Sequence, residues 1–298
     1  MTFHLGLIGY PLGHSLSPIL HQAALSATGL KGDYRLFALE PGEGFDNELK
    51  VLINQMRGDL IKGLNVTIPH KQTVIPFLDG LSTTANVVKA VNTIRKMNGQ
   101  VIGDNTDVDG FLRDLDRVFM ESYPRSVSPG TSLLRNSLVL GAGGSARAVI
   151  FGLLQKGWNV YVAARQMKQA QRLLQEIQVK LNNQDIPKVY TLELNQEQIN
   201  SLNEEIQLVV NTTSAGMWPN IDETPWPSGA KLPQDALVYD LVYNPSVTVF
   251  VRTARKSGLC ASNGLGMLIE QAALSFEFWT GHRPDREALW DAVPEMRG

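Results

Sequence analysis

Cysteine is nearly absent from this chain: 298 residues contain one, Cys260. A single thiol excludes an internal disulfide framework and fits a reducing compartment. Cys260 follows Gly258-Leu259 in an apolar stretch, so it is expected to be buried and structural rather than a nucleophile. Histidine is scarce as well. The five stand at positions 4, 14, 21, 70 and 282, and none pairs with Cys, Asp or Glu at a metal-ligand spacing, so no metal site is expected. An excess of one charge is missing too. The net charge is −2 and basic residues do not cluster, which leaves nothing to draw the chain to nucleic acid or an anionic membrane. No uncharged apolar run is long enough to span a bilayer as a helix. No basic region followed by an apolar run opens the sequence, so no secretory signal is expected. Internal repeats and low-complexity tracts are also lacking. What is present is an ordinary globular composition, 43% hydrophobic and 19% charged. The length is great for one core and natural for two domains.

The pattern along the chain divides into two α/β series. In the first, residues 3–8, 34–39 and 63–68 read as strands and 45–56 as a helix with 3.6 spacing. Ser17-Pro18 is a helix start, with Ser17 as N-cap and Pro18 at the first helical position, and Gly29 is the stop. Residues 90–96 and 100–103 form a hairpin around Asn98-Gly99. Alternating strands and helices predict a mainly parallel sheet. A helix over 107–119 leaves this series. Residues 121–136, rich in Ser, Pro, Gly and Arg and without a period, read as a surface insertion. The second series has strands at 137–140, 159–163, 189–192, 208–211, 236–240 and 259–262. Helices at 146–155 and 168–181 alternate with them in a doubly wound pattern, and 265–279 is a strong terminal helix.

A nucleotide-binding turn opens the second series. Leu138-Val139-Leu140-Gly141-Ala142-Gly143-Gly144-Ser145-Ala146 is a strand, a glycine turn and a helix start, and Gly141, Gly143 and Ala146 fit the spacing G-x-G-x-x-G/A. The first glycine permits the tight turn, the second lets backbone approach a pyrophosphate, and the small third residue lets helix and strand pack closely. Free N–H groups at the helix start favour the phosphates. The next strand ends in Ala163-Ala164-Arg165. An acidic residue there would hold the ribose hydroxyl of NAD. Arg165, with Lys168 one turn on, suits the 2′-phosphate of NADP instead.

The first series carries polar residues at strand ends, the edge where open α/β sheets bind ligands. They are Asn65, Thr67, Asn92 and Asp107. Lys71 follows in Asn65-Val66-Thr67-Ile68-Pro69-His70-Lys71, and Asp107 closes Gly103-Asp104-Asn105-Thr106-Asp107. A ketone reduced by a nicotinamide needs a proton donor for the developing alkoxide. A protonated lysine oriented by a carboxylate can serve. Lys71 and Asp107 are therefore either a proton-transfer pair or a structural ion pair.

These runs, with Gly9-Tyr10-Pro11-Leu12-Gly13-His14-Ser15-Leu16-Ser17-Pro18 and Ala90-Val91-Asn92-Thr93, stand in the order found in the shikimate dehydrogenase family, which the chain resembles over nearly its whole length. The resemblance implies two domains. A substrate-binding catalytic domain spans 1–110 and is rejoined by the terminal helix of 265–298. An NADP-binding Rossmann domain spans 111–264. It implies reversible, NADPH-dependent reduction of 3-dehydroshikimate to shikimate in aromatic amino acid biosynthesis. It further implies a cytoplasmic enzyme, monomeric or homodimeric. Ser15 and Ser17 would hold the substrate carboxylate, while Asn65, Thr67, Lys71, Asn92, Asp107, Tyr243 and Gln271 would surround the ring. The cofactor would lie along Gly141 to Ala146, Ala164, Arg165, Lys168, Thr212 and Ser214, with Leu241, Gly264 and Met267 near the nicotinamide. Met267 fits plain helix-core packing equally well. Gln22 and Lys89 depart from the family pattern, as do Ala164 and Gln166 beside Arg165. Two rivals remain: an NAD(P)-dependent quinate/shikimate dehydrogenase, which the absence of an acid beside Arg165 disfavours, and a non-catalytic NADP-binding regulator, which would need no Lys71.

Overall fold

The structure, a computed structural model, describes residues 1–123, 135–178, 187–202 and 206–296. It divides into two compact units. One comprises Met1–Gly110 with Leu268–Pro294, the other Phe111–Met267 with the last residues.

The first unit begins with β1 (Thr2–Gly9), α1 (Ser17–Thr28), β2 (Lys31–Ala38), α2 (Phe45–Arg57) and β3 (Gly63–Val66). It continues with β4 (Gly80–Leu81), α3 (Thr83–Val88), β5 (Thr93–Met97) and β6 (Gln100–Asp104). The sheet order is β2-β1-β3-β5-β6-β4. β1 runs parallel to β2 and β3, and β4 parallel to β6. β5 is antiparallel to both its neighbours, and its pairing with β6 follows from a tight hairpin, which must reverse the chain. Its turn has Asn98 at φ 51° and Gly99 at φ 79°, the left-handed pair that matches strand twist. α2 lays Leu49, Ile53 and Met56 on Leu64, Ile94 and Val101 of the sheet. Burial on both faces explains the near-continuous apolar run of β1.

The start of α1 differs from expectation. Leu16 already has helical angles (φ −81°, ψ −8°) and no side chain caps the helix. Ser17 is thus inside the first turn, and the Ser15 hydroxyl accepts the Ser17 N–H at 3.3 Å. Pro18 lies in the first turn and Gly29, at φ 68°, ends the helix.

α4 (Asp107–Ser122) carries the chain into the second unit. There follow β7 (Arg135–Leu140), α5 (Gly144–Gln155), β8 (Trp158–Ala164), α6 (Met167–Gln178), β9 (Val189–Glu193), α7 (Gln196–Ser201) and β10 (Leu208–Asn211). β11 (Leu237–Asp240), α8 (Val249–Lys256) and β12 (Ala261–Ser262) complete the sheet, whose order is β12-β11-β10-β7-β8-β9. All its pairs are parallel. The chain moves outward from β7 to β9, then returns to β10 on the other side. The gap between β7 and β10 is therefore the switch point where such sheets bind nucleotides. Most of the insertion expected at 121–136, and the last residues of the helix expected over 168–181, lie outside the described residues. Cys260 is partly exposed rather than buried, because it leads into β12 at the sheet edge.

α9 (Leu265–Thr280) takes the chain back into the first unit and α10 (Arg286–Asp291) follows. In α9, Ser275 and Phe276 are fully buried, and Trp279 Nε1 donates to the Ile94 carbonyl at 3.0 Å. Gly63 in β3 permits this contact, since a Cβ there would collide with the Trp279 ring.

Candidate functional site

The C-terminal ends of the first sheet converge on one polar cluster. Lys71 is placed by its backbone: its carbonyl accepts the Val91 N–H at 2.7 Å. The neighbouring His70 is buried, stacks on Phe45 at 4.3 Å and contacts the Leu39 carbonyl through Nε2 at 2.6 Å. Asp107 is the first residue of α4, where a carboxylate suits the helix dipole. The Asn105 side chain accepts the Asp107 and Val108 N–H groups at 3.1 and 3.3 Å, satisfying donors the helix leaves free.

Across this frame the Lys71 ammonium donates to Asp107 Oδ2 at 2.6 Å, with the side chains 14% and 6% exposed. Asn92 Nδ2 donates to Asp107 Oδ1 and to Thr106 Oγ1, both at 2.8 Å, with Gln271 Oε1 at 3.3 Å. The Thr106 N–H fixes Asn92 Oδ1 at 2.7 Å. Both carboxylate oxygens are thus engaged, and the ammonium is held in one direction, its other hydrogens unbonded among the described residues. Asn65 joins from β3. Its Nδ2 donates to the Asn92 carbonyl at 3.1 Å and to Ser275 Oγ at 3.0 Å, and its Oδ1 accepts the Tyr34 hydroxyl at 2.8 Å.

Of the residues expected at the substrate, Asn65, Lys71, Asn92, Asp107 and Gln271 come together here. Ser15, Ser17 and Thr67 make no hydrogen bond to this group among the described residues. Ser15 and Thr67 occupy the connections after β1 and β3, and Ser17 opens α1 at the end of the first of them. Those two connections are tied by Tyr10 N–H to the Ile68 carbonyl at 3.0 Å and Thr67 N–H to the Ile8 carbonyl at 2.8 Å. Tyr243 belongs to the second unit. Three participants were not singled out from the sequence. Thr106 sits inside the Asn-Thr-Asp run and Ser275 lies one helical turn after Gln271, so both had a spacing signal. Tyr34, in the middle of β2, had none.

In the second unit, Gly141 turns the chain at φ 105°. A Cβ there would meet Thr212 Oγ1 at 2.8 Å, so glycine is required on both counts. Thr212 is pinned to the same turn, its N–H and hydroxyl donating to the Leu140 carbonyl at 3.0 and 2.7 Å. At Gly143, by contrast, a Cβ would meet nothing within 4 Å. The protein leaves that space open at the start of α5, as approach of a pyrophosphate requires. Gly144 and Ser145 open the helix, and buried Ala142 and Ala146 pack beneath it. Ala164 ends β8, buried. Arg165 and Lys168 just beyond are exposed and have no hydrogen-bonding or ion-pair partner among the described residues. Cations with no protein partner at that strand end fit a 2′-phosphate. Ser214 is exposed on the loop after β10.

Asp240 organises the loops beside this turn. Its buried carboxylate accepts Asn211 Nδ2 at 2.7 Å, the Thr248 hydroxyl at 2.7 Å and the Val242 N–H at 3.1 Å. Burial pushes its pKa up to about 6 against the pull of those donors. Gly264 is pressed on the Leu241 carbonyl, and a Cβ there would collide with it. Met267 is buried in the first turn of α9. Among the described residues, no helix is long and apolar enough to cross a membrane and no three His, Cys, Asp or Glu side chains could share a metal ion.

Known proteins resemble the chain throughout. Residues 7–94 match the model of the shikimate dehydrogenase substrate binding domain, and 264–293 that of the shikimate 5'-dehydrogenase C-terminal domain. A shikimate dehydrogenase (NADP(+)) of Methanopyrus kandleri is 40% identical over 296 residues, covering 97% of this chain and 94% of that protein. The shikimate 5-dehydrogenase of Thermus thermophilus, solved with NADP(H) and shikimate, is 33% identical with a TM-score of 0.80, covering 99% of both chains. A quinate dehydrogenase of Corynebacterium glutamicum, solved with NAD, is 31% identical with a TM-score of 0.81, covering 98% of this chain and 99% of the other.

Proposed function

The chain belongs to the shikimate dehydrogenase family, and from this premise we infer an NADP-dependent oxidoreductase that reduces 3-dehydroshikimate to shikimate, reversibly. The observation that carries the reading is the Lys71–Asp107 pair, held by Asn92 in the first unit. NADPH, when bound, supplies the hydride. The Lys71–Asp107 pair supplies the proton to the oxygen that becomes a hydroxyl. Asp107 and Asn92 keep the ammonium aimed, so little reorganisation accompanies the charge that develops on that oxygen.

Ser15 and Ser17 hold the substrate carboxylate in this reading. Asn65, Thr67, Asn92, Asp107, Gln271 and Tyr243 take the ring hydroxyls. Residues 141–146, Ala164, Arg165, Lys168, Thr212 and Ser214 hold the NADP phosphates and ribose, with Leu241, Gly264 and Met267 at the nicotinamide. The open space at Gly143, and Arg165 and Lys168 without a partner among the described residues, support this assignment. The single, partly exposed cysteine supports a cytoplasmic place, and a monomer or homodimer is the expected state. The test is a four-way assay of reduced nicotinamide absorbance, with shikimate or quinate against NADP or NAD. Shikimate with NADP should give by far the highest kcat/KM. Preference for quinate with NAD would replace this reading with the quinate-type one, and no turnover with any pair would remove the enzyme.

A further inference from the structure

Asp114 and Tyr239 form a buried polar pair that the mechanism above leaves unused. Asp114 lies on α4 and Tyr239 on β11; they are 2% and 0% exposed. The Tyr239 hydroxyl donates to Asp114 Oδ2, and Arg117 Nε holds Oδ1 at 2.8 Å. The Tyr239 ring packs edge-on against Phe111 at 5.4 Å. An apolar pair would fill the same space without the desolvation penalty of an ionised carboxylate, so what the polar pair touches is informative.

It touches the first turn of α9. A Cβ on Gly266 would collide with Asp114 Oδ1, so the backbone of α9 lies directly on the carboxylate. The Met267 amide faces the Tyr239 oxygen from the same turn and opposes the burial and the Asp114 charge, which together raise the Tyr239 pKa well above its ordinary value. Just before this turn, Asn263 Oδ1 accepts the Leu265 N–H at 3.1 Å. The turn carrying Gly266 and Met267 is thus fixed from outside by a carboxylate at a helix N-terminus, a favourable place for it, and by a phenol that cannot move without breaking its bond to Asp114.

We propose that Tyr239, held by Asp114, is a positioning residue for the nicotinamide half of the cofactor, acting through the Gly266–Met267 turn. The proposal rests on the reading that Met267 borders the nicotinamide. It separates two halves of one ligand: the adenosine half is held at β7, β8 and α5, and Tyr239 acts only on the other.

The test compares Tyr239→Phe with wild type for binding of NADPH and of adenosine 2′,5′-bisphosphate, which has the 2′-phosphate but no nicotinamide. Removing the hydroxyl takes away one buried hydrogen bond to Asp114 Oδ2. NADPH should bind about fivefold or more weakly, the size of one lost hydrogen bond. Adenosine 2′,5′-bisphosphate should bind as before, and KM for shikimate should stay within about twofold. Asp114→Asn, which keeps the shape of the side chain, should shift NADPH in the same direction and serves if Tyr239→Phe does not fold. NADPH affinity unchanged in a folded variant overturns the proposal. Equal weakening of both ligands also overturns it, because that is the mark of general loosening. If wild type binds neither ligand, the cofactor reading fails instead, and the two failures are distinct.

Discussion

Removing the Lys71 side chain removes the one ammonium that Asp107 and Asn92 hold in place. Lys71→Ala should lower kcat about 10²-fold or more, the usual worth of general acid–base catalysis, with little change in KM for shikimate. A kcat within a few fold of wild type would take Lys71 out of the chemistry. Arg165→Ala tests the other ligand. The ratio of kcat/KM for NADP over NAD should fall at least several fold, since a hydrogen bond to a charged group is worth about 1.5–3 kcal/mol. An unchanged ratio would mean that Arg165 is only a solvated loop residue. His21 makes a different kind of test. It is 1% exposed and stacked on Tyr34 at 4.3 Å, and neither ring nitrogen makes a hydrogen bond of good geometry among the described residues. Burial lowers its pKa from 6.5 to about 3, with nearby Asn65 only partly opposing. The fold therefore holds the ring neutral. The stability this gives is present above pH 6.5 and is lost as pH falls from there toward 3, at up to about 1.4 kcal/mol per pH unit. His21→Phe, which keeps the stacking, should flatten the acid limb of stability against pH; the same slope in both proteins would refute this. Lys71, Asn92 and Asp107 were legible in the sequence because each stands in a short polar run beside an apolar strand. Tyr34 and His21 were not. Their roles come from a stack between a strand and a helix that no local spacing announces.

At the scale of the element, period and turn chemistry did most of the work. The second series was readable strand by strand because each buried strand ends in a polar or glycine turn. β4 and α3 escaped because two and six residues hold no period. The antiparallel run of β5 within a mainly parallel sheet was implied by Asn98-Gly99, since a two-residue turn can only fold the chain back on itself. Ser17 was misplaced as the N-cap because a Ser-Pro pair cannot reveal that Leu16 has already turned helical. The contact of β3 with α9 supplies a prediction at this scale. Gly63→Ala would put a Cβ into the Trp279 ring, which is buried and bonded to Ile94. Overpacking of this kind costs about 1–3 kcal/mol. The urea midpoint should drop accordingly, and an unchanged midpoint would show that Trp279 can move aside freely.

For the molecule as a whole, the first unit is not contiguous in sequence. Asn65 needs Ser275, Asn92 meets Gln271, and Ile94 receives Trp279, all from the stretch Leu268–Pro294. A fragment of residues 1–110 should therefore fail to fold cooperatively, by circular dichroism and by resistance to proteolysis. A fragment as resistant as the intact chain would show that α9 only decorates the sheet. The two-unit arrangement was suggested by length and by the two α/β series. The dependence of the first sheet on a distant helix was suggested only by the family resemblance, because a helix rich in apolar residues does not say which strands it will cover.

That discontinuity sets an order of events during synthesis. A ribosome delivers β1 to β6 well before Trp279, with residues 111–267 made in the interval. The unit that is begun first is completed only after residues 111–267 of the second have been made, and its sheet must wait until then with Gly63 and the Ile94 carbonyl uncovered. A nascent chain stalled before α9 emerges is one whose exposed strands are open to chaperones and to misassociation. Release of the stretch Leu268–Pro294 from the ribosome is the step that ends that exposure.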